Sequence, residues 1–345
     1  MRLSGRRAGR CLALAVAAAL SVVACDSGES INGAGATFPY VLYSKWFDEY
    51  NKLRPDVRIN YQSQGSGAGI RQLTNGTVFF GASDGPMNEQ QLKAAPGPIL
   101  HLPTVLGADV PVYNLPGVSA RLQFSGPLLA DIFLGAVSRW NDPALQALNP
   151  DVALPDMPLS VVHRSDGSGT TYIFTDYLSK VSPAWSSRVG VGTSVSWPVG
   201  VGGKGNEGVA GLVTQTPGAL GYVELVYALQ TQMAFGAVQN SAGTFVVASA
   251  ASVTAAAASA ADRIPDDFRV SITNPPGADA YPIASFTWML LNEQPSNLAQ
   301  SKAMVEFMRW ALTDGQRFAG PLGYAQLPPA VVARELKALA RVKVS

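Results

Sequence analysis

Three segments of this sequence share one design: a strand-like run, a loop of small and hydroxyl residues, then a helix-like run. They are Gly33-Ala34-Gly35-Ala36-Thr37-Phe38-Pro39, Gly65-Ser66-Gly67-Ala68-Gly69 and Arg164-Ser165-Asp166-Gly167-Ser168-Gly169-Thr170-Thr171. Glycine lets backbone N–H groups come close to a ligand, and the first turn of a helix leaves N–H donors unpaired with a partial positive charge. Loops of this kind suit oxyanions. The hydroxyls of Thr37, Ser66, Ser168 and Thr170 add donors, and the guanidinium of Arg164 has the fork geometry that fits a tetrahedral oxyanion. Taken singly, each loop is equally well read as an ordinary helix cap or turn. If the three converge, their donors suffice for one small dehydrated anion, because charge-assisted hydrogen bonds of about 1.5–3 kcal/mol each offset its desolvation.

A fourth segment, Gly81-Ala82-Ser83-Asp84, ends an apolar strand in an acid. A carboxylate beside an anion is repulsive unless the ligand carries a proton. Asp84 can accept a hydrogen bond from a P–OH group, whereas fully ionised sulfate has none to give. The plain alternative is a strand-end turn or helix-capping aspartate.

The motifs of catalysis do not fit. The two histidines, His101 and His163, stand apart, with no carboxylates at metal-ligand spacing, which argues against a metallophosphatase. Neither Ser66 nor Ser168 lies in a G-x-S-x-G elbow, since Gln64 and Asp166 occupy the first glycine's place. The run Gly200 to Gly211, with Lys204, Asn206 and Glu207, does not match a phosphate-binding P-loop and reads as a turn and helix cap near the cleft, with direct ligand contact as the minor alternative. No cofactor or metal is expected.

The elements that must hold these loops are legible in outline. Val57, Ile59 and Tyr61 alternate with polar residues as in a strand, and Leu42, Trp46, Tyr50 and Leu53 recur at helical spacing after Pro39. Val78 to Ala82 and Leu159 to His163 read as further strands. The alternation of strand and helix runs along the chain indicates α/β architecture with largely parallel sheets. The alanine-rich stretch Ala248 to Ala261 reads as a surface helix or loop.

At 345 residues, 47% apolar and 14% charged, the chain can bury the cores of two domains. Arg2, Arg6, Arg7 and Arg10 precede an apolar run from Cys11 to Ala24 that ends at Cys25, the form of a signal peptide with a lipobox. Cys25 is then the acylated first residue of the mature protein, followed by a tether over 26–30. Cys11 and Cys25 are the only cysteines, so such a mature chain has no thiol for disulfide or metal chemistry. Without residues 1–25 it carries 21 basic and 24 acidic residues, a formal charge of −3. That balance makes nucleic acid an unsuitable partner and leaves anion binding to local donors.

With these segments in view, the chain resembles the phosphate-binding-protein family of the bacterial high-affinity phosphate (Pst) transporter. The likeness runs from about Ile31 almost to the C-terminus and rests on residues 33–39, Gly81 to Asp84, Arg164 to Thr170, Trp197-Pro198 through Gly208, Pro217 to Glu224 and Ala280 to Ile283. It implies a type II periplasmic-binding-protein fold, in which two α/β lobes are joined by crossover strands and close on a ligand in the cleft between them. Lobe I would hold residues 31–105 and 280–345, and lobe II residues 106–279. Carried over by position, the phosphate contacts fall on Thr37, Phe38, Ser66, Asp84, Arg164, Ser168, Gly169 and Thr170, with Asp166 pairing with Arg164 to orient and partly neutralise it. One departure is Gly67 after Ser66, where relatives can carry a second serine. The implied role is high-affinity binding of inorganic phosphate and its delivery to the transmembrane permease of an ABC importer, by a monomer held in the cell envelope by its lipid. Two alternatives remain: a phosphate-sensing or surface lipoprotein of the same fold, and a secreted phosphatase.

The leader reading has a direct test. Cells fed radiolabelled fatty acid should label the wild-type protein and leave Cys25→Ser unlabelled; label on the variant would refute acylation at Cys25.

Overall fold

The computed structural model describes residues 28–260 and 263–345. The leader, Cys25 and the start of the tether lie outside the described residues.

The chain opens with β1 (Glu29–Gly35), α1 (Tyr40–Leu53), β2 (Val57–Ser63), α2 (Ser66–Thr74), β3 (Phe80–Ser83), α3 (Glu89–Ala94) and the long β4 (Ile99–Tyr113). The helical spacing expected after Pro39 is present: Leu42, Tyr43, Trp46 and Tyr50 of α1 are buried. Leu53 departs from the expectation, being exposed in the last turn of α1. The alternation at Val57, Ile59 and Tyr61 gives β2, parallel to β1. The next strand begins at Phe80 rather than Val78; the Phe79 N–H, just before it, already donates to the Asn32 carbonyl of β1 at 2.8 Å.

Then come β5 (Gln123–Phe124), α4 (Gly126–Phe133), α5 (Pro143–Leu148), β6 (Ser160–Arg164), α6 (Gly169–Val181), α7 (Pro183–Arg188), β7 (Val201–Gly203), α8 (Gly205–Gln215), β8 (Ala219–Glu224) and α9 (Leu225–Gln230). Short β9 (Ala234–Phe235), β10 (Ala237–Gln239) and β11 (Phe245–Val246) lead to α10 (Ala250–Ala258). The chain returns through β12 (Ala284–Asn292) and closes with α11 (Leu298–Leu312) and α12 (Pro329–Ala338). The alanine-rich stretch is not a mere surface element. Val253, Ala256 and Ala257 of α10 are buried, since small side chains let the helix lie close on β4 and β12.

One nine-stranded sheet runs in the order β2-β1-β3-β12-β4-β8-β6-β7, with β9 also paired to β4. The pairs β1–β2, β1–β3, β6–β7 and β6–β8 are parallel, while β12 is antiparallel to both β3 and β4. β4 joins the two halves of this sheet, pairing with β12 up to Ala108 and with β8 from Asp109 onward. Its residues from Leu100 to Tyr113 are all buried, as expected of a strand covered on both faces. Aromatic clusters fill the cores on either side, with Phe47 between Phe80 and Phe307 in one and Phe174 stacked on Tyr222 at 4.3 Å in the other.

The parallel strands β1, β3 and β6 all end at the same kind of place, their carboxyl ends, where each of the loops singled out above begins. The loop after β2 is held tightly against two of them. A Cβ on Gly69 would stand 2.5 Å from the Gly35 Cα and 2.6 Å from the Ala34 oxygen, so only glycine lets α2 lie on β1 and β3. Gly69→Ala should cost roughly 1–3 kcal/mol by overpacking against backbone that cannot yield. Urea unfolding should show a lowered midpoint at unchanged slope; an unaltered midpoint would contradict this packing.

Candidate functional site

The site is built from helix beginnings. Ser168 caps α6, its hydroxyl accepting the Thr171 N–H at 3.0 Å, and α2 starts at Ser66 directly after Gly65. Neither cap exhausts the donors of its helix. Among the described residues, the N–H groups of Thr37, Phe38, Ser66, Gly169 and Thr170 have no protein acceptor. Buried N–H groups without partners are rare, so their gathering in one place calls for an acceptor from outside the fold.

They are gathered in one place. A Cβ on Gly169 would collide with the carboxylate of Asp84 and the hydroxyl of Ser66, so the first turn of α6 abuts the ends of β3 and the start of α2. The Gly67 N–H donates to the Gly167 carbonyl at 2.8 Å. Asn206, at the start of α8, spans the same seam: its side-chain amide donates to the hydroxyl of Thr37 at 2.8 Å and of Thr170 at 3.3 Å. The Tyr227 hydroxyl donates to the Thr37 carbonyl at 2.5 Å. Thr37, Phe38, Ser66, Asp84, Arg164, Ser168, Gly169 and Thr170 are thus brought together, and every one of them is buried.

Arg164 carries the positive charge. Its side chain is 1% exposed and makes a two-pronged pair with Asp166, Nε to Oδ1 at 2.9 Å and Nη2 to Oδ2 at 2.7 Å. Nη1 donates to the Thr170 hydroxyl at 3.0 Å. Three of the five guanidinium N–H bonds are therefore used, and the other two remain for a ligand. Burial alone would lower the Arg164 pKa, but the bonds and charge of Asp166 outweigh it and hold it above its ordinary value. Burial likewise opposes ionisation of Asp166, and Arg164 and the Gly205 N–H, which donates to Oδ1 at 2.9 Å, overcome it and keep that carboxyl low. The pair is ionised and close to neutral overall.

Asp84 behaves differently. It is fully buried, and burial raises its pKa from 3.8 to about 7 against the lowering effects of Thr287, Arg164 and Ser66. The Thr287 hydroxyl donates to Oδ1 at 2.7 Å, while Ser66 reaches Oδ2 only at 3.4 Å, a weak bond. Oδ2 is thus the side of the carboxyl open to a stronger donor, and it is the side that faces Gly169. The arrangement can hold a small anion by N–H groups and a neutralised guanidinium, and test it for a proton at Asp84.

Asn206, Thr287 and Tyr227 were not singled out as site residues from the sequence. Asn206 lies in the glycine-rich run read as a turn and cap, and the signal available was its place at a helix start, next to Glu207. Thr287 lies mid-strand on β12 among apolar residues, and nothing local marks it. Among the described residues no group of three or more His, Cys, Asp or Glu side chains could hold a metal ion. His163 bonds the Arg164 carbonyl and stacks on Trp197 at 4.8 Å, and His101 accepts the Met87 N–H at 3.1 Å; both are packed into the fold.

Comparison with known proteins agrees with this geometry. The PBP superfamily domain matches residues 23–315. The chain is 49% identical to the phosphate-binding protein PstS of Xylella fastidiosa strain 9a5c over 303 residues, 88% of this chain and 82% of that one. It is 37% identical to PstS of Methanocaldococcus jannaschii over 337 residues, 91% of this chain and 86% of that protein. Among solved structures, a phosphate-bound high-affinity periplasmic phosphate-binding protein, PfluDING, superposes with a TM-score of 0.73 at 23% identity, covering 90% of this chain and 93% of that one. Sequence and fold together place the chain in the PBP superfamily and, within it, in the PstS phosphate-binding-protein family.

Proposed function

We propose that this protein captures inorganic phosphate outside the cytoplasmic membrane and delivers it to the permease of an ABC importer. One observation carries the reading: unpartnered N–H groups from three loops far apart in the chain meet the free edge of Arg164 around an acid whose pKa is about 7. The ligand contacts are Thr37, Phe38, Ser66, Asp84, Arg164, Ser168, Gly169 and Thr170, with Asp166 fixing the plane of the guanidinium. Residues 31–105 with 280–345 form one lobe, residues 106–279 form the other, and the cleft between them opens and closes on the anion. The names of the curated relatives support phosphate as the ligand. Cys25 carries the lipid that holds the protein at the outer face of the membrane.

Selectivity follows from Asp84. A protonated phosphate donates to Oδ2, whereas sulfate presents only lone pairs to it, and an unmatched pair of acceptors in a dry site costs the wrong ion its place. We read the site as one for binding without turnover. The hydroxyls of Ser66 and Ser168 are bound to Asp84 and to the Thr171 N–H, and neither histidine touches them.

Titration calorimetry at pH 8.5, where Asp84 is ionised, of the protein lacking residues 1–25 should give tight binding of phosphate and at least about a hundredfold weaker binding of sulfate, a gap of roughly 2.7 kcal/mol. Comparable affinity for the two ions would remove Asp84 from ligand discrimination. Arg164→Ala should weaken phosphate by about 2–5 kcal/mol, the usual result of truncating a buried charge partner. Equal phosphate affinity in variant and wild type would take Arg164 out of the site.

Asp84 also predicts a pH effect on the ligand-free fold. Its folded pKa lies above its ordinary value, so its contribution is fully favourable below about pH 4 and is lost as pH rises toward 7. The loss is on the order of 4 kcal/mol for a shift of this size. In urea unfolding, Asp84→Asn should lose less stability than wild type between pH 5 and pH 8; equal losses would show that Asp84 ionises normally.

A further inference from the structure

β4 changes partners at one point, and two acids face each other there. Asp109 is the first residue of β4 paired with β8, and it lies directly opposite Glu224. Directly opposed residues of an antiparallel pair project from the same side of the sheet. Both side chains are completely buried. Glu224 Oε2 accepts the Val226 N–H at 2.8 Å and caps α9, but Glu224 Oε1 and both oxygens of Asp109 have no partner. Two like charges opposed in a dry sheet, with three unpaired oxygens, are a highly unfavourable arrangement if both are ionised.

The pair lies against the anion site. Gly107 shares a side of β4 with Asp109, and a Cβ there would stand 3.0 Å from Glu224 Oε1 and 2.6 Å from the Phe38 ring. The Glu224 N–H donates to Asn206 Oδ1 at 3.0 Å, and the same Asn206 holds the hydroxyls of Thr37 and Thr170. Thr287, which holds Asp84, is in register with Val105, two residues before Gly107 on β4. The titratable groups around Asp109 are Asp84 from the end of β3, Glu224 and Tyr222 on β8, and Arg164 from the end of β6. Tyr281, just before β12, donates its hydroxyl to the Asp109 carbonyl at 2.9 Å, Tyr227 on α9 is engaged with Thr37 and Glu207, and Tyr324, which faces Glu224, donates to the Phe38 carbonyl at 2.6 Å. The cation of the group, Arg164, is already held by Asp166.

We propose that Asp109 and Glu224 are a further determinant of anion binding, a carboxyl pair that must hold a proton for the cleft to close over its ligand. The proposal rests on the phosphate reading above. Burial, then the neighbouring charges of Asp84 and Glu224, pushes Asp109 well up, and burial does the same to Glu224. Opening of the cleft admits water to the pair and lets it ionise at lower pH. The closed form therefore holds more protons than the open form. Because the anion favours the closed form, its affinity is highest at low pH and falls as pH rises through the window between the open-form and closed-form values. Neither acid touches the ligand; both act through the strand that joins the two halves of the sheet.

The test is calorimetric titration with inorganic phosphate from pH 6 to pH 9.5, on wild type, Asp109→Asn and Glu224→Gln, each checked for cooperative unfolding at pH 6. The phosphate's own ionisation is common to all three, and repeating the series in an Asp84→Asn background removes the titration of Asp84, so the comparison isolates the pair. The wild-type dissociation constant should rise across this range by about tenfold more than that of either variant. Parallel profiles, within about twofold, in a folded variant that binds phosphate would overturn the proposal while leaving the phosphate reading intact. A wild type that binds no phosphate at any pH would remove both. Wild-type affinity at pH 9 restored by sodium or potassium at constant ionic strength would make the pair a cation site and overturn the proposal. Wild-type titrations at pH 8.5 in two buffers of different ionisation enthalpy should show proton uptake on binding, and zero uptake would overturn it even if neither variant folds.

Discussion

The structure depends on one strand that belongs to both halves of the sheet. β4 is fifteen residues long, buried from its second residue to its last, and bonded first to β12 and then to β8. Because it is continuous, the carboxyl ends of β1 and β3 on one side and of β6 on the other are held opposite each other. The loops at those ends could each cap a helix anywhere. It is the shared strand that turns three separate caps into a single enclosure, and a break in it would leave the donors intact but unable to meet.

Within that enclosure, charge is handled by cancellation rather than by excess. Arg164 is neutralised by Asp166, and apart from its two free N–H bonds the remaining donors are uncharged N–H groups and hydroxyls. A strongly positive site would hold an anion tightly whatever its protonation. A nearly neutral one lined by the acid of Asp84 would make the strength of binding depend on whether each hydrogen finds an acceptor. Thr287 and Asn206 serve this arrangement from outside, one fixing Asp84 and the other tying hydroxyls from both sides of the seam.

Much of this was legible in the sequence because it is written locally. A small-residue loop before a helix needs only its own neighbours to be recognised, and so the loops at Thr37, Ser66 and Arg164 stand out, as do the flanking strands and helices. The acid at Asp84 is visible for the same reason: it ends an apolar run. What was hidden depends on pairing across the chain. Thr287 contacts Asp84 from 203 residues away, and Asn206 meets Thr37 from 169 residues away. The opposition of Asp109 and Glu224 exists only in the register of β4 with β8. The alanine-rich segment misled because its composition suits exposure, whereas its small side chains in fact permit close packing on the sheet.

The place of β12 has a consequence for how this polypeptide reaches its native state. β3 and β4 are not neighbours; β12, which comes from the last fifth of the chain, lies between them and bonds to both. Until that late segment has emerged, the early strands lack the partner that joins them to the rest. The two halves therefore cannot assemble in the order of their synthesis, and folding must wait on contacts of long sequence separation, which are slow to form. A nascent chain of this topology stays unfinished, and so threadable, almost until its final residues are made.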